Sequence, residues 1–170
     1  MAGTIQSPVD AHGAEVVYLI RRRMGGFAND VTIQTEGGPV LYHVRSKVLS
    51  PLGRRYGVYT DAMEEVLGTE QDHTAIFPRH TLYAGEREVG KLGQKGILPE
   101  IYFVHLHPWP RAEIHVGGFE SIFRLIDPAG IVAEVATHRT TWIVVIPWTR
   151  VRFLILCSIA IIFRENTIGG

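Results

Sequence analysis

Eleven consecutive residues without a charge, Phe153 to Phe163, constrain this chain more than anything else in it. They read Phe-Leu-Ile-Leu-Cys-Ser-Ile-Ala-Ile-Ile-Phe, with Arg150 and Arg152 before them and Arg164-Glu165-Asn166 after. A membrane-spanning helix needs about 17 to 25 apolar residues, so the run is short by about two turns. A typical strand holds about 5 to 6 residues, so the run is too long for an ordinary one. Apolar side chains fall on every face, and a helix of that kind must be covered on every side. Periodicity alone does not separate helix from strand in a continuous run, and the four isoleucines keep a strand open beside a membrane tail. The length favours a buried helix from about Arg152 to Arg164.

The rest of the chain must supply the cover, and its rhythm is period two. Val31, Ile33 and Thr35 alternate with Thr32 and Gln34, Glu36-Gly37-Gly38-Pro39 breaks the run, and Val40, Tyr42 and Val44 follow. That is a β-hairpin with a glycine turn. Tyr56 and Val58 lead through Asp61-Ala62 to Val66-Leu67, and Leu82-Tyr83 leads through Gly85-Glu86 to Val89–Leu92. Ile101–Leu106 is a strand stopped by Pro108-Trp109-Pro110, and Ile114 and Val116 form a short one. Phe123 and Leu125, the turn Asp127-Pro128-Ala129-Gly130, and Val132–Val135 make another hairpin before Trp142–Ile146. About ten to twelve strands at this spacing predict a sandwich or a barrel. The hairpins echo one another, as repeated units or as any meander would. A barrel of that size has an interior that needs filling, so barrel and buried helix explain each other. The expected fold is all-β, a closed or nearly closed barrel of about twelve strands around a C-terminal helix.

Composition narrows the function. Seventeen Lys and Arg balance seventeen Asp and Glu, so no global field draws nucleic acid or membrane toward the chain. The single cysteine, Cys157, excludes an intrachain disulfide and suits a reducing compartment. Val16–Ile20 is too short for a signal-peptide core and has no basic stretch before it. A cytoplasmic location, peripheral at a membrane if the ligand is a lipid, is the expectation. Glycines and prolines are scattered, so the expected organisation is a flexible stretch over residues 1–13 and one domain over 14–170.

In the order of these patterns the chain resembles the LURP-one-related proteins of the tubby C-terminal-like superfamily, to which phospholipid scramblases also belong. The stretches that carry the resemblance are Tyr18-x-Ile20-Arg-Arg, Asp30-Val-x-Ile33, Tyr42-x-Val44-x-Ser46-Lys47, Phe123-x-Leu125-x-Asp127-x-x-Gly130 and Leu154 to Phe163. It spans about Val17 to Asn166. The resemblance implies a roughly twelve-stranded barrel around a central C-terminal helix. Tubby domains bind phosphoinositide head groups through basic residues, but their lysine/arginine pair has no match at numbered positions here. The calcium-binding and membrane segments of scramblases have none either.

Two groups of residues are candidate sites. Arg21, Arg22, Arg23, Arg45, Lys47, Arg54 and Arg55 are seven positive charges in the first third of the chain. Brought together by hairpin pairing, they would hold phosphates or an anionic lipid head group, and Arg21 and Arg23 share a strand face. His105-x-His107 puts two imidazoles on one strand face, with Glu113 and His115 following. This is loosely similar to a cupin metal motif but departs from it in the His-to-Glu spacing and lacks a clear second motif. Ordinary solvated strand residues are the simpler account of both groups. There is no Gly-x-Ser-x-Gly, no dinucleotide or phosphate-binding glycine loop, and Cys157 lies in apolar company. The sequence therefore predicts a non-enzymatic binding module with no cofactor. Its partner is an anionic lipid surface or a protein rather than nucleic acid, and the alternative is a metal enzyme using His105, His107 and His115.

Overall fold

The structure, a computed structural model, describes residues 16–23, 30–47, 55–72, 74–97, 100–116, 121–147 and 151–168. Twelve strands precede one helix: β1 (Val16–Arg22), β2 (Val31–Thr35), β3 (Val40–Ser46), β4 (Tyr56–Thr60), β5 (Glu65–Gln71), β6 (Arg79–Ala84), β7 (Arg87–Ile97), β8 (Glu100–Leu106), β9 (Ala112–Val116), β10 (Ile122–Asp127), β11 (Gly130–His138), β12 (Thr141–Ile146) and α1 (Arg152–Ile168). Each strand pairs antiparallel with the next, and β12 returns to pair with β1, so the sheet closes into a barrel. Closure removes the exposed edges that an open sheet of this size would present.

The period-two pattern does what the pleat requires. Val31 and Ile33 on β2, Tyr42 and Val44 on β3, and Tyr56 and Val58 on β4 belong to the apolar core, while Thr32, His43 and Gly57 between them lie on the opposite face of the pleat and are covered there as well. Turn residues supply the reversals. Gly37 and Gly85 occupy left-handed backbone (φ 68° and 65°) between β2 and β3 and between β6 and β7. Asp127 closes the turn into β11 by accepting bonds from the backbone N–H of Ala129 (2.8 Å) and Gly130 (3.0 Å).

Helix α1 fills the barrel. Ile159, Ala160, Ile161 and Ile162, four consecutive positions that sample the full turn, are all at most 1% exposed. The helix is therefore enclosed on every side, as its unbroken apolar sequence demands. Near its start Phe153 packs on Tyr42, with ring centroids 5.0 Å apart, and near its end Phe163 meets Trp142 edge-on at 5.1 Å. The one hydroxyl in the run, Ser158, bonds back to the carbonyl of Leu154 (2.7 Å), and burial pushes the Cys157 thiol up, far from its reactive range.

One sequence expectation needs adjustment. The helix runs to Ile168, four residues beyond the Arg164 expected, because the barrel mouth supplies hydrogen-bond partners for the polar residues there. The stretch 1–13 lies outside the described residues. Among the described residues no helix is long and apolar enough to cross a membrane.

Candidate binding surfaces

With α1 occupying the interior, side chains that could meet a ligand lie on the outer wall and at the two rims. One rim is where α1 enters, ringed by the turns after β2, β4, β6 and β10. At the other α1 leaves, beside the ends of β1, β3 and β5 and the starts of β2, β4 and β6.

The basic residues singled out in the sequence gather at the exit rim. Arg21 and Arg23 are exposed on the outside of β1 and just beyond it, and neither makes an ion pair with a described residue. The backbone N–H of Arg23 bonds to the carbonyl of Asp30 (2.8 Å), which puts Asp30 between Arg23 and Arg45 of β3. Arg45 pairs with the Asp30 carboxylate at 2.9 Å, and that carboxylate is only 7% exposed. Lys47 is joined by its backbone N–H to the carbonyl of Arg55 (2.8 Å), so the outer ends of β3 and β4 carry two more cations side by side. Lys47 also pairs with Glu65, and Arg55 lies 3.4 Å from Glu70. Thus the barrel does assemble the basic residues on neighbouring strands, but it sets a carboxylate against each of Arg45, Lys47 and Arg55. Arg54 lies outside the described residues.

The histidines are arranged differently from what a three-ligand metal centre needs. His105 and His107 share the outer face of β8, with ring centroids 5.3 Å apart, and His107 stands 3.6 Å from Glu88. His115 is opposite Ile101, at the other end of that pairing. It is four residues along β9 from the position beside His105, about 13 Å away at the usual strand rise. Among the described residues no group of three or more His, Cys, Asp or Glu side chains is placed to hold a metal ion.

Inside the exit rim lies a polar collar that the sequence did not announce. Arg164 donates to the Ser46 hydroxyl (2.7 Å) with its guanidinium 5.3 Å from the Tyr56 ring centroid. Glu165 accepts a bond from the Tyr56 hydroxyl (2.8 Å) and lies 2.8 Å from Nε2 of His80. Asn166 donates to Glu100 (3.1 Å), which also accepts from the Tyr102 hydroxyl (2.5 Å). Burial, reinforced by Glu100, pushes the Tyr102 hydroxyl up, and burial pulls the Arg164 guanidinium down from its ordinary value. This collar ties the polar side chains of the last turns of α1 to the barrel wall.

A second outer-wall cluster was equally hidden. Phe103 of β8 points outward but is buried, because the guanidinium groups of Arg111 and Arg79 lie over its ring, 4.1 Å and 5.5 Å from the centroid. Gly93 of β7 stands between Arg79 and Phe103 in the register and leaves room for Arg79 to reach across. The contributing residues lie on or beside β6, β7, β8 and β9, so no local motif reveals them.

No family model matches the sequence, and no curated protein matches it. A solved structure does. The X-ray structure of a protein from Arabidopsis thaliana is similar over 91% of this chain and 92% of that one, with a TM-score of 0.62 at 15% sequence identity. The two chains share a fold. At that identity the likeness covers the barrel architecture and stops short of ligand or role.

Proposed function

We propose that this chain is a non-catalytic binding module that docks peripherally on a cytoplasmic membrane face by holding anionic phospholipid head groups at the exit rim. Arg21 and Arg23 make the first contact, and Arg45, Lys47 and Arg55 extend the basic surface. The observation that carries this reading is the gathering of basic residues from β1, β3 and the start of β4 on one outer face at one end, with Arg21 and Arg23 free of carboxylate partners among the described residues. A second support is that α1 occupies most of the interior, which leaves charged ligands to the outside. The resemblance to LURP-one-related and other tubby-like proteins points the same way, and the chain is proposed as a member of that group with one domain over residues 14–170.

The test is sedimentation with vesicles of neutral lipid containing a fraction of phosphatidylserine or a phosphoinositide. Each basic residue near such a surface is worth about 1 kcal/mol. Substituting Arg21→Glu and Arg23→Glu together should weaken binding at least thirtyfold by that estimate, roughly. Unchanged sedimentation of a folded double variant would sink the reading and leave a protein partner as the occupant of this rim.

A further inference from the structure

We propose that the Phe103 cluster is a second anion site, separate from the exit-rim basic residues, which takes the phosphate group of a small phosphomonoester or diphosphate. Arg79, Lys91, His105 and Arg111 surround a cleft of about 200 Å³ on the outer wall, with Phe103 as its floor. That volume is below the roughly 300 Å³ at which drug-sized pockets begin, so it suits a phosphate-bearing head group rather than a large molecule.

The case rests on how the charges are held. Two guanidinium groups lie within 5.5 Å of one phenyl ring, and neither is neutralised by a dedicated carboxylate. Glu113 approaches Nε of Arg111 at 3.7 Å, but it is already bound to Lys95 at 2.7 Å. Asp72 at the margin accepts bonds from the backbone N–H (2.9 Å) and hydroxyl (2.7 Å) of Thr74, which hold its carboxyl below the usual range with help from Arg79 and Lys91. Lys91, exposed on β7 and opposite both Thr81 and His105, makes no ion pair with a described residue. Three permanent cations therefore line one cleft where one exposed carboxylate is present, and the Phe103 ring lies against both guanidinium groups. Guanidinium forks match phosphate oxygens in bidentate geometry, and Lys91 adds a point charge.

A phosphate can arrive free or as a lipid head group, and the experiment separates the two sources. Inorganic pyrophosphate is titrated calorimetrically into the full chain, and the chain is sedimented with vesicles containing phosphatidylinositol 4-phosphate. The wild type should bind pyrophosphate, and Lys91→Glu should weaken that binding at least tenfold while leaving the protein folded with cooperative melting, since Lys91 is exposed on the outer face of β7. Arg21→Glu with Arg23→Glu should leave pyrophosphate binding intact, so this site and the exit-rim reading can fail separately. Binding of pyrophosphate without Lys91-dependent vesicle recruitment assigns the site to soluble phosphates, and recruitment lost in Lys91→Glu assigns it to head groups. Absence of pyrophosphate binding, or binding untouched by Lys91→Glu, overturns the proposal.

Discussion

The carboxylate of Glu165 stands 2.8 Å from Nε2 of His80, a residue 85 positions earlier in the chain, and this contact ties the end of the central helix to the wall of the barrel. The same oxygen accepts the Tyr56 hydroxyl. The His80 side chain is fully buried and Glu165 nearly so, so losing the carboxylate leaves two polar groups without their acceptor. Glu165→Ala should cost about 1–3 kcal/mol in urea unfolding. Glu165→Gln keeps an acceptor oxygen and should cost clearly less. Equal losses for the two would show that the hydrogen bonds contribute little.

The helix itself is the second test. An aspartate at Ile159 or Ala160 would be an unpaired charge in an apolar enclosure, and several kcal/mol is enough to unfold a domain of this size. Either Ile159→Asp or Ala160→Asp should abolish cooperative thermal unfolding, as should deletion of residues 152–170. A soluble, cooperatively melting deletion variant would contradict the role of α1 as the barrel's core.

The ion pairs of the basic rim should differ in worth. Arg45→Ala leaves the Asp30 carboxylate buried without its cation and should cost about 1–3 kcal/mol. Lys47 and Glu65 are both more than a third exposed, so Lys47→Ala should fall within about 1 kcal/mol of wild type. Chemical denaturation of the two variants side by side checks the order.

Two glycines of the wall should respond oppositely to alanine. A Cβ at Gly90 would lie 2.5 Å from the His105 carbonyl oxygen and 3.0 Å from Cα of Leu106, backbone atoms that yield little, so Gly90→Ala should destabilise by about 1–3 kcal/mol. At Gly57 the near atoms all belong to the Tyr59 ring and hydroxyl, which can swing away. Gly57→Ala should be tolerated, and a comparison of melting temperatures decides between these outcomes.

Glu113 supplies a pH test. The hydrogen bond from Lys95 holds its carboxyl below the usual range, with Arg111 and His115 assisting. A depressed carboxylate contributes stability above its unfolded pKa, and that contribution fades as pH falls through the folded value. The titration of Glu113 followed by NMR should therefore have its midpoint below about 4.3, the ordinary glutamate value, and Lys95→Ala should move it upward. A midpoint unmoved by the substitution would falsify the assignment of Lys95 as the main cause.

Much of the architecture was legible because it is written in local terms. The Phe153–Phe163 run had a length that suited neither strand nor membrane helix, and the hairpins around Gly37, Gly85 and Asp127 carry their turn chemistry in adjacent residues. The same logic placed His105 and His107 on one face. The surfaces were less legible because they depend on register between strands distant in sequence. Nothing near Arg45, Lys47 or Arg55 announces that Asp30, Glu65 and Glu70 will stand against them. Arg79 and Arg111 meet on Phe103 only because Gly93 lies between two of the three in the folded sheet.

The order of the elements also has a kinetic side. All twelve strands precede α1, so the ribosome releases the wall of the barrel before the segment that occupies it. Until α1 is made, the inward faces of Ile33, Val58, Leu82 and Ile114 have no apolar partner to receive them. The nascent sheet must stay open, or be shielded by a chaperone, for the time it takes to synthesise the last turns. Native closure of this barrel therefore waits until α1 has been synthesised, with the unfilled sheet as its aggregation-prone precursor.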